Sequence, residues 1–235
     1  MKRPIEVMEA KIYDGANGVS IPYRIYVPDT NKKCSLLLFL HGAGERGNDN
    51  RTHITIHEDL IERAINDDKK ECIVIAPQCP NEMQWVNTPW ANGSYSFGNI
   101  PMSKTMESVI EILELVKAQY SINDKRIYVA GMSMGGYGTW NILMHYPNMF
   151  AAAIPVCGAG DPNMAEKIKH IPIRVYHNAD DTTVPVSGSR EMVEALKLCN
   201  GDVTYSENPD GEHNSWYRAY TEPDILEWLF SKEKE

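Results

Sequence analysis

Apolar and polar positions alternate near the start of the chain. Residues 19–27 carry Val, Ile or Tyr at every second position, and this period of two is typical of a half-buried strand. Residues 6–13 form a second candidate strand, and the join at residues 14–18 carries the Asp, Gly and Asn residues that favour hairpin turns. The pattern therefore predicts an antiparallel hairpin at the N-terminal end.

Farther along, the apolar positions form short continuous runs. Strands covered on both faces of a parallel sheet have this pattern, and it occurs at residues 35–40, 72–76, 127–130, 151–156 and 173–176. Apolar residues recur at helical spacing over residues 103–120 and about 187–199, and a capping pattern at residues 221–224 predicts a last helix through Phe230. The alternation predicts a single α/β domain over residues 1–235, with a doubly wound, mostly parallel sheet and helices on both faces.

Residues 77–101 break this alternation. The segment contains Trp85, Trp90, Tyr95 and Phe97 among Gly, Asn and Pro residues, and no periodicity covers it. Because it follows an apolar strand, it should lie at that strand's carboxyl end, where open α/β sheets hold their ligands. A structureless loop of this length in a compact domain is usually functional or disordered, and its aromatic residues favour an ordered wall over the active site.

The clearest chemical signal is the sequence Gly131-Met132-Ser133-Met134-Gly135, directly after the apolar run at residues 127–130. This G-x-S-x-G pattern between a strand and a helix is typical of a serine nucleophile that projects from the end of a sheet. Glycines flank the serine because larger side chains would collide in such a tight turn. Ser133 is therefore the predicted nucleophile.

A serine nucleophile needs a base, and the base needs an acid that orients it. Both should follow Ser133 on loops after later strands. His213 lies in the turn-rich loop between the last strand and the last helix, and it is the predicted base. Asp180 and Asp181 share the loop after the strand at 173–176, so the residues alone leave both open as the acid, with Asp161 a more distant alternative.

Acyl transfer also needs backbone N–H donors for the developing oxyanion. We expect these from Met134, which follows the nucleophile, and from Ala43, in the glycine-rich loop after residues 35–40. His41 at the start of that loop is expected to brace it rather than to react. Trp85 and Trp216 are the predicted substrate contacts, with packing in the core as the alternative for each.

The remaining composition narrows the classes of partner. The net charge of −9 argues against nucleic acid and anionic membranes, no apolar run is long enough to span a membrane, and nucleotide-binding glycine motifs are missing. His53 and His57 stand four residues apart without a third ligand, so we interpret them as surface histidines and predict neither metal nor cofactor.

Cysteines and the N-terminal residues bear on the compartment. The five cysteines are widely spaced without a C-x-x-C pattern, which favours reduced thiols over a Cys72–Cys79 disulfide. The first residues lack a secretory leader pattern, so a cytoplasmic protein is expected, or a secreted one if the chain is trimmed.

Four segments together resemble the α/β-hydrolase superfamily: residues 41–47, 76–80, 131–136 and 211–216. The likeness covers essentially the whole chain and is strongest to the small serine esterase branch. Its members include feruloyl esterase-like, acetyl-xylan esterase-like, polyhydroxybutyrate depolymerase-like and predicted peptidase/phospholipase-carboxylesterase-like proteins. In that branch the acid precedes a Val-Pro-Val-like segment, which implies Asp181, and a glycine usually stands where this chain has Asn178.

The resemblance implies a serine carboxylic-ester hydrolase without a cofactor. Its substrates would be short acyl or aryl esters of the feruloyl or acetyl type, as small molecules or on oligosaccharides. Peptidase or thioesterase action with the same residues is the alternative. A non-catalytic binding module is a further one, although the nucleophile, base and oxyanion donors are all present. No oligomeric state is predicted.

Overall fold

Eight strands form one sheet in a computed structural model that describes residues 1–67 and 71–235. The strands are β1 (Glu9–Asp14), β2 (Ser20–Tyr26), β3 (Cys34–Leu40), β4 (Cys72–Pro77), β5 (Ile122–Met132), β6 (Ala152–Val156), β7 (Ile173–Asn178) and β8 (Val203–Asn208). Their order across the sheet is β1-β2-β4-β3-β5-β6-β7-β8. β2 is antiparallel to both β1 and β4, and every other neighbouring pair is parallel. The predicted α/β class and N-terminal hairpin are confirmed.

The helices are α1 (Pro4–Val7), α2 (Asp59–Ile65), α3 (Lys104–Gln119), α4 (Met134–His145), α5 (Ala165–Ile168), α6 (Ser187–Leu198), α7 (Trp216–Thr221) and α8 (Ile225–Ser231). The start of the first strand differs from the prediction. Residues 4–7 are helical, so the first strand begins at Glu9. The predicted last helix is α8, which begins at Ile225 directly after the predicted capping residues and includes Phe230. The helix α7 was not predicted; it ends at Thr221, and Pro223 follows, which lacks the N–H that a continuing helix needs.

Both faces of the sheet are covered, which explains why its central strands are apolar throughout. Along β3, Leu36, Leu38 and Leu40 pack on the face covered by α3, α4 and α6. Leu37 and Phe39 point to the opposite face, where α2, α7 and α8 pack. A side-chain period of two therefore supplies two separate cores, and the predicted doubly wound arrangement is confirmed.

The aromatic segment at residues 77–101 is irregular and is held at several points. The Tyr137 hydroxyl, from α4, donates to the carbonyl oxygen of Trp90 at 2.8 Å and to that of Gly93 at 3.1 Å. Asp161, the distant alternative for the acid, accepts from the Phe97 N–H at 2.8 Å. These contacts fasten the segment above the carboxyl ends of the central strands.

Two further properties concern the whole chain. Among residues 1–67 and 71–235, no helix is long and apolar enough to cross a membrane. All five cysteines are free thiols, including Cys72 and Cys79, so no disulfide joins them.

Candidate active site

Ser133 lies at the sharp turn between β5 and α4. Its φ of 55° and ψ of −120° fall in a region that L-residues rarely adopt, and its N–H donates to the carbonyl oxygen of Val156 at 2.9 Å. A Cβ atom on Gly135 would overlap the carbonyl oxygen of Leu40, and one on Gly131 would overlap that of Gly135. The glycines are therefore a steric requirement of the turn that carries the serine.

Ser133, His213 and Asp181 form one hydrogen-bonded chain. His213 Nε2 lies 2.8 Å from Ser133 Oγ, and His213 Nδ1 lies 2.6 Å from Asp181 Oδ2. Because a carboxylate can only accept, Nδ1 carries the ring hydrogen and Nε2 is the acceptor for the serine hydroxyl. In this arrangement the imidazole can take the hydroxyl proton.

Asp181 is held as a buried carboxylate. Its Oδ1 accepts from the backbone N–H groups of Thr183 at 2.8 Å and Val184 at 2.9 Å. Burial by itself would raise the pKa of this carboxyl, but hydrogen bonds from His177, His213 and the Val184 N–H together hold the pKa of Asp181 well below its ordinary value. A charged carboxylate therefore lies against His213.

The neighbouring Asp180 does not contact His213. Its carboxylate accepts from the backbone N–H groups of Gly211 at 3.1 Å and Glu212 at 2.8 Å. Asn178, which stands where the resembled family usually has a glycine, donates from Nδ2 to the carbonyl oxygen of Glu212 at 2.9 Å. Of the two aspartates that the residues left open, Asp181 contacts the histidine and Asp180 braces its loop.

His177 is a second histidine on the same carboxylate, and it was not predicted as part of the site. Its Nε2 lies 3.2 Å from Asp181 Oδ2 and 3.1 Å from the carbonyl oxygen of Val184, while its Nδ1 contacts the Ser189 hydroxyl at 2.8 Å. The side chain is fully buried. The sequence did contain a signal for this contact, because His177 ends an apolar strand and stands four residues before Asp181.

His41 fixes the peptide that joins Gly42 to Ala43. Its Nε2 accepts from the Cys79 N–H at 2.9 Å, so Nδ1 carries the hydrogen and donates to the carbonyl oxygen of Gly42 at 2.6 Å. Burial, with the neighbouring His53, lowers the pKa of His41 to about 3, so the ring is neutral. The C=O and N–H of a trans peptide point in opposite directions, so this bond turns the Ala43 N–H away from His41. The predicted bracing role is confirmed.

The two residues predicted as oxyanion donors, Met134 and Ala43, belong to segments next to Ser133. Met134 is the first residue of α4, and its N–H has no partner within the helix. Ala43 begins a short 3-10 turn after β3, and its carbonyl oxygen accepts from Arg46 Nε at 2.9 Å. This loop passes so close that a Cβ atom on Gly42 would lie 3.6 Å from Ser133 Cβ. Both segments thus border the serine, and the role of the Ala43 and Met134 N–H groups as oxyanion donors stays a prediction.

A cavity of about 260 Å³ opens at Ser133. Its walls include Trp90 and Trp216, the loop at residues 42–45, and His213. The Trp216 ring meets the His213 ring edge to face, with centroids 5.3 Å apart. Trp216, a predicted substrate contact, is therefore part of the cavity wall.

Trp85, the other predicted substrate contact, is not part of this wall, and that prediction is wrong. Its side chain is fully buried, and its Nε1 donates to the carbonyl oxygen of His41 at 3.0 Å. It packs beneath the loop that carries Ala43 rather than against the cavity. Trp90, from the same segment at residues 77–101, lines the cavity instead.

The interpretation of His53 and His57 as surface histidines is also wrong. His53 is buried, and its Nε2 lies 3.0 Å from the carbonyl oxygen of Ala76 at the end of β4. His57 is half-buried in the cavity wall, where its Nδ1 accepts from Trp216 Nε1 at 3.0 Å. The two rings hold different partners, so they do not form a metal pair.

Cys157, Asp181 and His213 bring potential metal-ligand atoms within 4.8 Å of one another. This donor set does not suit a metal ion. Asp181 and His213 already bond each other, and burial raises the pKa of the Cys157 thiol to about 12, so the thiolate that a metal requires is disfavoured.

The sheet order, the serine turn and the hydrogen-bonded Ser-His-Asp chain define an α/β-hydrolase. The family model for Phospholipase/Carboxylesterase matches residues 24–222, and the chain belongs to this family. The chain spans less than a quarter of the length of the first curated relatives that it matches.

Individual relatives agree with this assignment. The crystal structure of a thermostable esterase is 36% identical with a TM-score of 0.87, over 98% of this chain and 64% of that one. A bifunctional acetylxylan esterase/xylanase from Neocallimastix patriciarum is 26% identical to this chain. The match covers 72% of this chain and 22% of that protein. A ferulic acid esterase structure shares the fold, with 16% identity and a TM-score of 0.71, over 95% of this chain and 98% of that one.

Proposed function

We propose that this protein is a serine esterase that hydrolyses short acyl or aryl esters through an acyl-enzyme. The observation that carries the proposal is the hydrogen-bonded chain from Ser133 through His213 to Asp181, which begins in an open cavity. A serine hydroxyl is a weak nucleophile on its own, and this arrangement is the established means of activating it.

In the first half of the reaction, Ser133 Oγ attacks the ester carbonyl carbon while His213 Nε2 takes the hydroxyl proton. The carbonyl oxygen becomes an oxyanion that accepts from the N–H groups of Ala43 and Met134. Asp181 stabilises the imidazolium that forms. The bond to the alcohol then breaks, and His213 returns the proton to the leaving oxygen.

In the second half, water enters the position that the alcohol has left. His213 takes a proton from this water, whose oxygen attacks the acyl carbon. The bond from the acyl carbon to Ser133 Oγ breaks, and His213 gives the proton back to the serine. The acid leaves, and the enzyme returns to its starting state without a cofactor.

The cavity and the relatives support the proposed substrate class. A space of about 260 Å³ between two tryptophans suits a short acyl chain or a single ring. The similarity to an acetylxylan esterase/xylanase and to a ferulic acid esterase supports acetyl-type and feruloyl-type esters, on small molecules or oligosaccharides. Thioesterase or peptidase action needs the same residues, and no feature of the cavity favours either.

The test compares wild type and Ser133→Ala on a panel of aryl, acetyl, thioester and aminopeptidase substrates. Esters should be turned over fastest, and Ser133→Ala should lower kcat by about 10⁴-fold or more. Ser96→Ala, at an exposed serine of the 77–101 segment, is the matched control and should retain activity. Turnover by Ser133→Ala equal to wild type would remove the serine from the mechanism, and faster thioester or peptide cleavage would reassign the substrate.

A further inference from the structure

His57 and Trp216 form a pair in the wall of the active-site cavity. Trp216 Nε1 lies 3.0 Å from His57 Nδ1, and the two ring centroids lie 4.9 Å apart. An indole N–H can only donate. His57 Nδ1 is therefore the acceptor, and its lone pair is occupied by Trp216.

This contact determines where His57 carries its hydrogen. Burial lowers the pKa of His57 below its ordinary value, against an opposing effect of Asp59, so the ring is neutral in neutral solution. A neutral imidazole has a single N–H, and with Nδ1 accepting, that hydrogen is on Nε2. In the described part of the chain, Nε2 has no hydrogen-bond partner, and it is not among the fully buried polar atoms without one.

The surroundings indicate what this donor meets. Trp216 also packs against His213, with centroids 5.3 Å apart, so one indole ring contacts both His57 and the proposed base. Trp90 forms another wall, and flat aromatic walls suit the faces of aryl or sugar rings. Glu45 lines the same cavity, and its buried Oε2 accepts no hydrogen bond from the described residues, with His41 Nδ1 3.9 Å away. The cavity thus has flat walls that suit a ring and polar groups that lack a hydrogen-bond partner.

We infer that His57 Nε2–H donates a hydrogen bond to a hydroxyl or ether oxygen on a ring of the substrate. The inference rests on the proposed esterase function and narrows its substrates to esters that carry an oxygen-substituted ring. That oxygen belongs either to the acyl half, as in a hydroxylated or methoxylated aromatic acid, or to the alcohol half, as in a sugar. Trp216 acts through His57 as a positioning residue, because it fixes the tautomer.

The test uses two matched substrate pairs and compares their kcat/KM ratios. Methyl ferulate against methyl cinnamate places ring oxygens in the acyl half, and a monoacetylated methyl xyloside against cyclohexyl acetate places them in the alcohol half. In the pair that contains the recognised oxygen, His57→Phe should lower the ratio about tenfold, since a site built to bond an oxygen loses that discrimination with its donor. His57→Gln should restore most of the ratio, because its amide supplies an acceptor for Trp216 and a donor for the substrate.

His170→Gln, at an exposed histidine outside the cavity wall, is the control and should keep both wild-type ratios. Nitrogen NMR supplies a readout independent of turnover: His57 should be protonated at Nε2 in wild type, and Trp216→Phe should abolish that preference. Three results would each overturn the inference: unchanged kcat/KM ratios in His57→Phe, a wild type that prefers neither substrate in either pair, or a ring hydrogen on Nδ1 of His57. Labelling of Ser133 by a fluorophosphonate separates these outcomes from failure of the proposed function, which would leave Ser133 unlabelled.

Discussion

His177 and Asp181 are joined behind the proposed base: His177 Nε2 lies 3.2 Å from Asp181 Oδ2, the oxygen that His213 contacts at 2.6 Å. Because the other neighbour of Nε2 is the carbonyl oxygen of Val184, this nitrogen faces two acceptors and carries a hydrogen. The carboxylate is therefore held between two histidines, one toward the cavity and one in the core.

His177 should therefore act as a positioning residue for the acid. His177→Phe removes a donor to a buried charge, an interaction worth about 1.5–3 kcal/mol, and should lower kcat by roughly 10- to 100-fold with little change in KM. His177→Gln should recover part of kcat, because its amide N–H can replace the ring N–H. Steady-state kinetics on a reactive aryl ester, with circular dichroism to check folding, measures this. Wild-type kcat in a folded His177→Phe variant would contradict it.

The two adjacent aspartates should respond very differently to substitution by asparagine. Asp181→Asn can offer its amide N–H to His213 and so favour the wrong tautomer, with an expected loss of about 10⁴-fold in kcat. Asp180→Asn keeps one oxygen for the loop N–H groups of Gly211 and Glu212, so about tenfold or less should be lost. The comparison is kcat at pH 8. Equal losses would mean that Asp181 has no special relation to His213.

His41 should affect the rate through the orientation of the Ala43 N–H. Removal of a direct oxyanion donor costs about 10²- to 10³-fold in kcat, and His41→Gln, which disturbs only the peptide that carries the donor, should cost less, about tenfold. KM should change little. His53→Gln is the neighbouring control, because the His53 ring packs beside His41 but its hydrogen bond goes to the Ala76 carbonyl oxygen and not to the loop that carries Ala43. A kcat that is equally low in both variants would indicate a general packing effect instead.

The buried histidines should also make the fold sensitive to acid. Burial lowers the pKa of His53 from 6.5 to about 4. Between these two pH values, His53 binds a proton in the unfolded chain but not in the folded one. Stability is then lost as the pH falls from 6.5 through about 4. His53→Gln keeps the donor to Ala76 without the titration, so it should reduce this loss by up to about 3 kcal/mol. Urea unfolding of both proteins at pH 7.5 and pH 4 measures the difference, and an identical loss in the two would refute the assignment.

Much of this site could be predicted because local sequence encodes it. Ser133 carries its own signature of strand, glycines and helix, and His213 follows from chain order. The residues alone could not separate Asp181 from Asp180, because neighbours in one loop differ only in where the folded backbone points them. The family pattern made that choice.

The errors were about burial. Trp85 and Trp90 occur in one aperiodic segment, and no periodicity distinguishes the ring that packs under a loop from the ring that faces the cavity. His53 looked like a surface residue because polar neighbours surround it in sequence, yet a carbonyl at the end of β4 gives it a buried partner. These contacts join residues far apart in the chain, so they appear only once the sheet is assembled.

The most direct test of the account is to trap the acyl-enzyme. Wild-type protein mixed with p-nitrophenyl acetate and quenched in acid within milliseconds should gain the mass of one acetyl group, and peptide mapping should locate it on Ser133. His41→Gln should form the same adduct more slowly, and Ser133→Ala should form none. An adduct on another residue, or turnover of the ester without any covalent adduct on Ser133 under conditions where acylation outpaces hydrolysis, would contradict the proposed mechanism.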